Sequence, residues 1–377
     1  MTAHEHTPIP AEVQQTLRSA GSGQTILIND FDMNALPCLD WSTQVADGPQ
    51  YVFSDDPEYF RVEEAVGMRE RVQPGVVRIY IYHVNGMEKT TKKIATMIEN
   101  LGSAPMTVRL LRYASMGPSL EYHNIGKGGL EQFFNSVPEE TGRTVAPNAM
   151  IAIDEKMAAA SVQFDELVHG WYEVEIDQPA EISTVMTDLD VPFEMAARRQ
   201  PVQPSKHMGE GAGRGIFTTS NMDVTVNAGQ AIDTANGAVR LVLADGEKDP
   251  WIEGMDNSRG AVARLAGNYG VLYSIRMKVK STDGRGLAVV VWNPRSHEMY
   301  CGGLAVVVRI SDGELPGGVV IAPSDRERIA HAPEAALVQR FAPVAAGEER
   351  EIEIVYSPPG ASCLPMPIVF IPYTPAS

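Results

Sequence analysis

The densest group of side chains that could do chemistry lies in residues 248–269, a stretch rich in acids, amides and aromatics. Six of its residues are candidates for binding a ligand: Asp249, Trp251, Glu253, Asp256, Asn268 and Tyr269. Paired carboxylates about 5 to 9.5 Å apart hydrolyse glycosidic bonds, and loop carboxylates also bind calcium. The two aromatic rings suit stacking on a sugar. The simpler interpretation is a solvated connector whose Trp251 plugs the edge of a sandwich.

A second candidate group comes from an earlier part of the chain. His83 and Asn85 lie at the end of the strand VVRIYIYHVN, and Glu121, His123 and Lys127 lie in SMGPSLEYHNIGKGG at 115–129, which is expected to form a loop. Two histidines beside a carboxylate could form a metal site or a general acid and base pair. The alternative is that His83 is a core histidine with satisfied hydrogen bonds and that His123 caps its loop.

Two strands would position residues 248–269. The strand that follows, 270–280, alternates apolar residues at 271, 273, 275, 277 and 279 with mostly polar neighbours. This period of two is typical of a half-buried antiparallel strand. The preceding strand, 238–244, is rich in Val and Leu. The five glycines in and around the loop allow tight backbone paths between the two strands.

The remaining pattern predicts an all-β fold of two antiparallel β-sandwich-like domains with few short helices. Strands at 92–100 and 106–113 flank a turn signal at 102–105 and are expected to form a hairpin, and a short helix is expected at 130–136. Proline and glycine mark residues 191–215 as a linker. The expected layout is a lead-in at 1–50, a first domain at 51–190, this linker, and a second domain at 216–377.

Composition narrows the classes of partner. The 377 residues carry 48 acids against 31 bases, a net charge of −17, which opposes binding to nucleic acid. There is no apolar run long enough to span a membrane. An acidic surface is compatible with a divalent cation, with calcium as the candidate, and with a neutral glycan. No other cofactor is indicated, and homo-oligomers are compatible with the sequence.

The three cysteines, Cys38, Cys301 and Cys363, show no zinc-ligand spacing. One disulfide with a free thiol and three reduced cysteines are both compatible with this spacing. The first 21 residues show no secretory pattern, so the literal expectation is a cytoplasmic chain, or a mature form from which an export signal has been removed.

Six strings spread over most of the chain carry a resemblance to a known family: YVFSDDPE at 51–58, IYHVNG at 81–86, GPSLEYHNIGK at 117–127, DPWIEGMD at 249–256, GNYGVLY at 267–273 and LPMPIVFIP at 364–372. In this order they resemble bacterial proteins labelled copper amine oxidase-like, or copper amine oxidase N-terminal domain-containing. The resemblance covers the shared β-rich region and not the small appended domain that gives the label. It implies an exported, cell-envelope or extracellular module without an assigned activity.

Amine oxidation itself is not expected. That chemistry needs a tyrosine in an Asn-Tyr-Asp/Glu setting and three histidine ligands, but Tyr269 is followed by Gly270 and the one His-x-His pair is His4 and His6. The sequence therefore favours a non-catalytic protein that binds glycan or acts as a scaffold at the cell envelope. The alternative is a polysaccharide-acting hydrolase that uses paired carboxylates at 249–256.

Overall fold

A computed structural model describes residues 7–206, 213–294, 302–312 and 318–375. The fold is all-β and sandwich-like, as predicted, with four short helices in these residues. The helices are α1 (Ala11–Ser19), α2 (Tyr122–Asn135), α3 (Glu155–Ala158) and α4 (Phe193–Arg199). No helix in the described ranges is long and apolar enough to cross a membrane.

The strands are β1 (Thr25–Leu27), β2 (Trp41–Ala46), β3 (Gln50–Ser54), β4 (Tyr59–Phe60), β5 (Ala65–Val72), β6 (Gly75–Asn85), β7 (Thr91–Asn100), β8 (Met106–Ser119), β9 (Arg143–Val145), β10 (Met150–Ala152), β11 (Val162–Gln163), β12 (Leu167–Ile176), β13 (Ala180–Asp188), β14 (Arg214–Phe217), β15 (Asn221–Val226), β16 (Ile232–Asp233), β17 (Val239–Leu243), β18 (Glu253–Asp256), β19 (Ala261–Arg264), β20 (Leu272–Lys280), β21 (Gly286–Trp292), β22 (Val306–Ile310), β23 (Val319–Ala322), β24 (Glu334–Phe341), β25 (Arg350–Tyr356) and β26 (Met366–Tyr373).

The chain divides into two compact units. Unit one contains the described residues within 1–46, 221–250 and 271–377, and unit two contains those within 47–220 and 251–270. These boundaries differ from the expected layout, because residues 251–270 belong with the earlier part of the chain. The physical reason is pairing: β18 pairs with β14, which pairs with β3.

Unit one has two sheets. Its five-stranded sheet has the order β1-β24-β21-β26-β17, and its seven-stranded sheet has the order β2-β15-β20-β25-β22-β23, with β16 beside β20. The alternation expected at 270–280 is confirmed on β20, where Tyr273, Ile275 and Met277 are buried while Arg276 and Lys278 are exposed. β20 is antiparallel to β25 as expected, but parallel to β15.

Unit two is built on a nine-stranded sheet, β19-β18-β14-β3-β6-β12-β8-β9 with β4 beside β6, and on a five-stranded sheet, β10-β7-β13-β5 with β11 beside β7. Apolar residues of both sheets share one core, to which β6 contributes Val77, Ile79 and Ile81. Because successive strand residues face opposite sides, Arg78, Tyr80 and Tyr82 lie on the other face of the sheet. Helix α2 packs against β8 and β12.

Three local predictions for this unit were wrong. β7 and β8 do not form a hairpin, because they belong to different sheets. The loop expected around 115–129 contains most of α2, and three glycines, Gly126, Gly128 and Gly129, had obscured its helical pattern. The expected linker 191–215 contains α4 and the start of β14, while its residues 207–212 lie outside the described part.

Candidate functional site

The acids of residues 248–269 take structural roles, beginning with Asp249 in unit one. Asp249 is fully buried, and its Oδ2 accepts hydrogen bonds from the hydroxyl of Tyr273 and the amide of Ala244, each at 2.8 Å. Burial raises the pKa of its carboxyl. This carboxyl fastens the end of β17 to the start of β20.

Asp256 lies in unit two at the end of β18 and is 1% exposed. Its Oδ2 is 2.8 Å from Nε of Arg214 and 2.8 Å from Nε of Arg259, and its Oδ1 accepts a hydrogen bond from the hydroxyl of Ser258. Burial alone would raise the pKa of this carboxyl, but the Ser258 and arginine contacts outweigh burial and lower it. A carboxyl with a lowered pKa is a poor general acid.

The other four candidates of this stretch are also in unit two. Glu253 is exposed and forms a cross-strand ion pair with Arg264 at 2.8 Å. Asn268 is buried, with a φ of 48°, and its Oδ1 accepts the amide of Ile252 at 2.9 Å. The carbonyl of Tyr269 accepts a hydrogen bond from the hydroxyl of Tyr51. Trp251 is partly exposed.

His83 and Asn85, from the second candidate group, are buried and hydrogen-bonded inside unit two. Nδ1 of His83 is 3.1 Å from the carbonyl oxygen of Pro57, so it carries the proton, and Nε2 accepts from the hydroxyl of Ser54 at 2.8 Å. Burial lowers the pKa of His83 to about 4. The side-chain amide of Asn85 donates to the carbonyl of Val162 at 3.0 Å. Both residues satisfy their hydrogen bonds inside the unit.

Glu121, His123 and Lys127 are on or beside α2. Glu121 is the residue before the helix, and its Oε2 accepts from the amide of Asn124 at 2.9 Å. His123 and Lys127 are half-buried on the helix. In the described ranges, no three His, Cys, Asp or Glu side chains are grouped so that they could hold a metal ion.

An open groove of about 600 Å³ in unit two was not anticipated from sequence. Its walls come from β8, the end of α2 and the segment after it, β9, α3 and the middle of β12. The volume lies within the range of about 300 to 1,000 Å³ that is usual for ligand sites. Tyr113 on β8 and Val137 after α2 both line it, and they are 42% and 74% exposed.

The β8 wall of the groove is fixed by side chains. A bulge at Leu111 shifts the register between β8 and β12 by one residue. The backbone amides that point away from β12 are therefore those of Leu110 before the bulge, and of Tyr113 and Ser115 after it. These amides donate to Glu139 Oε2 at 3.2 Å, Ser136 Oγ at 3.1 Å and Gln132 Oε1 at 3.1 Å, respectively. The acceptors substitute for a neighbouring strand and fix the backbone of β8 at Tyr113.

Hydrogen bonds also hold side chains of the opposite wall. Asp154 Oδ1 accepts the amide of Met157, and Oδ2 accepts the hydroxyl of Tyr172, each at 3.0 Å. Arg143 donates to the carbonyls of Ala152 and Ile153 at 2.9 and 2.6 Å. Exposed Glu155 and Lys156 complete this side. The groove thus combines an aromatic face with amide, carboxylate, ammonium and guanidinium groups at fixed positions.

A buried cluster on the nine-stranded sheet was also missed. Tyr80 and Tyr82 lie opposite Trp171 and His169 on β12, and all four are at most 5% exposed. The two tyrosine hydroxyls and Nε1 of Trp171 have no hydrogen-bond partner among the described residues. His169 donates from Nδ1 to the carbonyl of Ile81 at 2.7 Å, and burial lowers its pKa to about 4.

Helix α2 covers this cluster. Its Phe133 stacks on Trp171 at 4.1 Å between ring centroids. A Cβ at Gly129 would lie 2.6 Å from His169 Nε2, so only glycine lets the helix come so close. The alternating strings YIY and HGWY, both of period two, were the sequence signals that could have placed these rings on one face.

Comparisons with known proteins do not identify a family. No family model and no curated protein matches the chain. The CUB1-EGF-CUB2 domains of rat MASP-1 align at 7% identity and a TM-score of 0.19, over 83% of this chain and 99% of that one. The corresponding human MASP-1/3 structure gives 10% identity and a TM-score of 0.19, over 88% and 99%. At such scores neither structure supports an argument about function.

Neither of the two cysteines that the structure describes lines the groove. Cys38 is an exposed free thiol in unit one, and Cys363 is disulfide-bonded. Cys301 lies outside the described residues.

Proposed function

We propose that the protein is a non-catalytic β-sandwich protein that binds a glycan in the groove beside β8, at the cell envelope or outside the cell. The observation that carries this proposal is the exposed ring of Tyr113 beside side chains held in place by backbone hydrogen bonds. The proposed location rests on the resemblance of the six strings to cell-envelope proteins. The glycan proposal rests on the chemistry of the groove.

Sugars suit this lining for two physical reasons. The C–H face of a pyranose is apolar and packs on an aromatic ring, as Tyr113 offers. Its hydroxyls both donate and accept hydrogen bonds, so they can pair with carboxylate, amide and cationic groups. Because the hydroxyls are neutral, they add no charge to the groove. Gln132, Glu139 and Lys156 provide one group of each kind. A preordered lining also lowers the entropy cost of binding.

The carboxylates at 249–256 support the hydrolase alternative less well. Glu253 and Asp256 are three residues apart on β18, so their side chains point to opposite faces of the strand. Asp256 is already neutralised by two arginines. A pair that flanks one glycosidic bond must have both carboxyls facing the same cleft. We therefore propose that the protein binds its glycan without turnover.

The test is a glycan panel followed by a matched pair of variants. Binding of soluble bacterial and plant oligosaccharides is measured by calorimetry, with and without a chelator. For any glycan that binds, Tyr113→Ala is expected to weaken affinity at least tenfold, because the stacking face is lost while the 113 amide still bonds to Ser136. Phe164→Ala is the control, since Phe164 is also 42% exposed but does not line the groove.

Two results would contradict the proposal: binding that survives Tyr113→Ala, or equal losses in both variants. Loss of binding on chelation would instead show that calcium takes part in binding. Release of reducing ends on prolonged incubation with a bound glycan would favour the hydrolase instead. An unchanged thermal midpoint for Tyr113→Ala ensures that lost affinity does not reflect unfolding.

A further inference from the structure

A second groove of unit two, about 690 Å³ in volume, differs from the first in its charge. It lies between β5, β13, the segment after α4 and the turn that joins β18 to β19. Its charged lining residues are Arg69, Arg71 and Glu181, and the rest of the lining is Pro201, Val202, Asn257 and Ser258. The lining therefore carries two positive charges and one negative charge, whereas the whole chain has a net charge of −17.

The two arginines are held side by side. Arg69 and Arg71 are two residues apart on β5 and therefore face the same side. Glu181, on the adjacent strand β13, contacts both: Oε1 is 3.3 Å from Nε of Arg69, and Oε2 is 3.4 Å from Nε of Arg71. One carboxylate thus orients two guanidinium groups through their Nε atoms.

The outer nitrogens of the two guanidinium groups differ in availability: one of those of Arg69 is engaged, and both of those of Arg71 remain available. Nη2 of Arg69 donates to the carbonyls of Ala197 and Gln200 at the end of α4, which fixes this side chain. Within the described ranges, the Nη atoms of Arg71 make no hydrogen bond, and the side chain is 76% exposed. Arg71 therefore presents the open end of a planar fork to the groove.

Neighbouring acids do not cancel this charge. Asp256 is paired with Arg214 and Arg259 behind the turn. Glu70 is 2% exposed, and its two oxygens accept the backbone and side-chain amides of Asn257. Burial raises the pKa of Glu70, which disfavours its charged form. Among the lining residues that the structure describes, the field is therefore set by Arg69 and Arg71 against the carboxylate of Glu181.

We propose that this groove binds an oxyanion group of a ligand, a carboxylate, sulfate or phosphate, with Arg71 as the principal donor and Arg69 beside it. Guanidinium groups recognise planar and tetrahedral oxyanions through paired, parallel N–H bonds, which a lysine ammonium cannot reproduce. The proposal does not depend on glycan binding at the β8 groove, because the residues of the two grooves are different.

The test uses the anions themselves. Sulfate, phosphate and acetate are titrated at constant ionic strength, and binding is followed through the arginine Nε–H signals in NMR spectra of the whole chain. At least one anion is expected to give saturable shifts for Arg69 and Arg71. Which of the three saturates at the lowest concentration separates a carboxylate ligand from a sulfate or phosphate ligand.

Three variants make the outcome decisive. Arg71→Gln and Arg71→Lys are both expected to weaken binding of the saturating anion at least fivefold. The lysine variant keeps the positive charge but loses the planar fork of the guanidinium group. Arg276→Gln is the matched control, since Arg276 is 55% exposed and is ion-paired with Glu353 on another strand. Unsaturable shifts, full affinity in Arg71→Gln, or the same loss in Arg276→Gln would overturn the proposal.

Discussion

Two polar regions of unit two differ in what surrounds their acidic side chains. In residues 251–269, Asp256 is buried between Arg214 and Arg259, and Asn268 holds a backbone amide. In the β8 groove, Glu139 and Asp154 also accept hydrogen bonds from the protein, but they border open space of ligand size. The difference teaches that the density of acids along a sequence reports turns and ion pairs as readily as a binding site.

The largest expected effect is in the first region. Asp256→Ala leaves Arg214, which is 1% exposed, as a buried charge without its carboxylate. Breaking a buried ion pair from one side costs about 3 to 5 kcal/mol of folding free energy. Urea unfolding of the variant measures this loss. A loss below about 1 kcal/mol would show that Asp256 is not needed by the fold and would reopen it as a functional residue.

The buried histidines give the next largest effect, through pH. His83 and His169 have pKa values of about 4 when folded, against about 6.5 unfolded. The unfolded chain therefore takes up protons first as pH falls, so stability is complete above pH 6.5 and declines toward pH 4. By pH 5 the loss is about 2 kcal/mol per histidine.

Unfolding free energies between pH 7.5 and 5 test this window, which lies above the ordinary pKa of aspartate and glutamate, about 4. Buried carboxyls with a raised pKa, such as Asp249 and Glu70, change stability with pH in the opposite direction, so the slope is compared between the parent and His169→Gln. An equal slope in the two proteins would mean that the imidazole of His169 is protonated without cost, and hence not enclosed as the structure places it.

A smaller change in unfolding free energy, of opposite sign, is expected for Tyr82 in the buried cluster. The hydroxyl of Tyr82 is buried without a hydrogen-bond partner in the described part of the chain. Removing such a group is neutral or stabilises by about 1 kcal/mol. Tyr82→Phe should therefore unfold at the same or slightly higher urea concentration than the parent. A clear destabilisation would reveal a partner for this hydroxyl, such as an ordered water.

The smallest effect is expected for Glu253, the exposed acid of the first region. Its ion pair with Arg264 is open to solvent, and such pairs contribute about 0 to 1 kcal/mol. Glu253→Gln should change the unfolding free energy by no more than about 0.5 kcal/mol. A loss close to that of Asp256→Ala would erase the contrast between surface and buried acids within β18.

The sequence was sufficient to predict the architecture. Period-two alternation depends on local side-chain chemistry, and β20 therefore follows the predicted pattern. The failures involve pairing over distance. The turn at 102–105 resembles a hairpin, but β7 pairs with β13 and β8 pairs with β12, and no local signal specifies those partners.

The site was less accessible from sequence. The groove draws Tyr113, Gln132, Glu139, Asp154 and Tyr172 from five separate segments, so no motif contains it. Residues 248–269 were conspicuous because they are consecutive, yet the sequence does not show that Asp256 would meet Arg214, 42 positions away. What decides between a structural and a functional acid is its partner, and partners are set by the tertiary fold.

The most direct test of the central claim is a side-by-side measurement of glycan affinity in Tyr113→Ala and Trp251→Ala. Both variants remove an accessible aromatic ring, one from the β8 groove and the other from residues 251–269. The account predicts at least a tenfold loss for Tyr113→Ala and parental affinity for Trp251→Ala. The reverse result would place the glycan site in residues 251–269 and contradict the account.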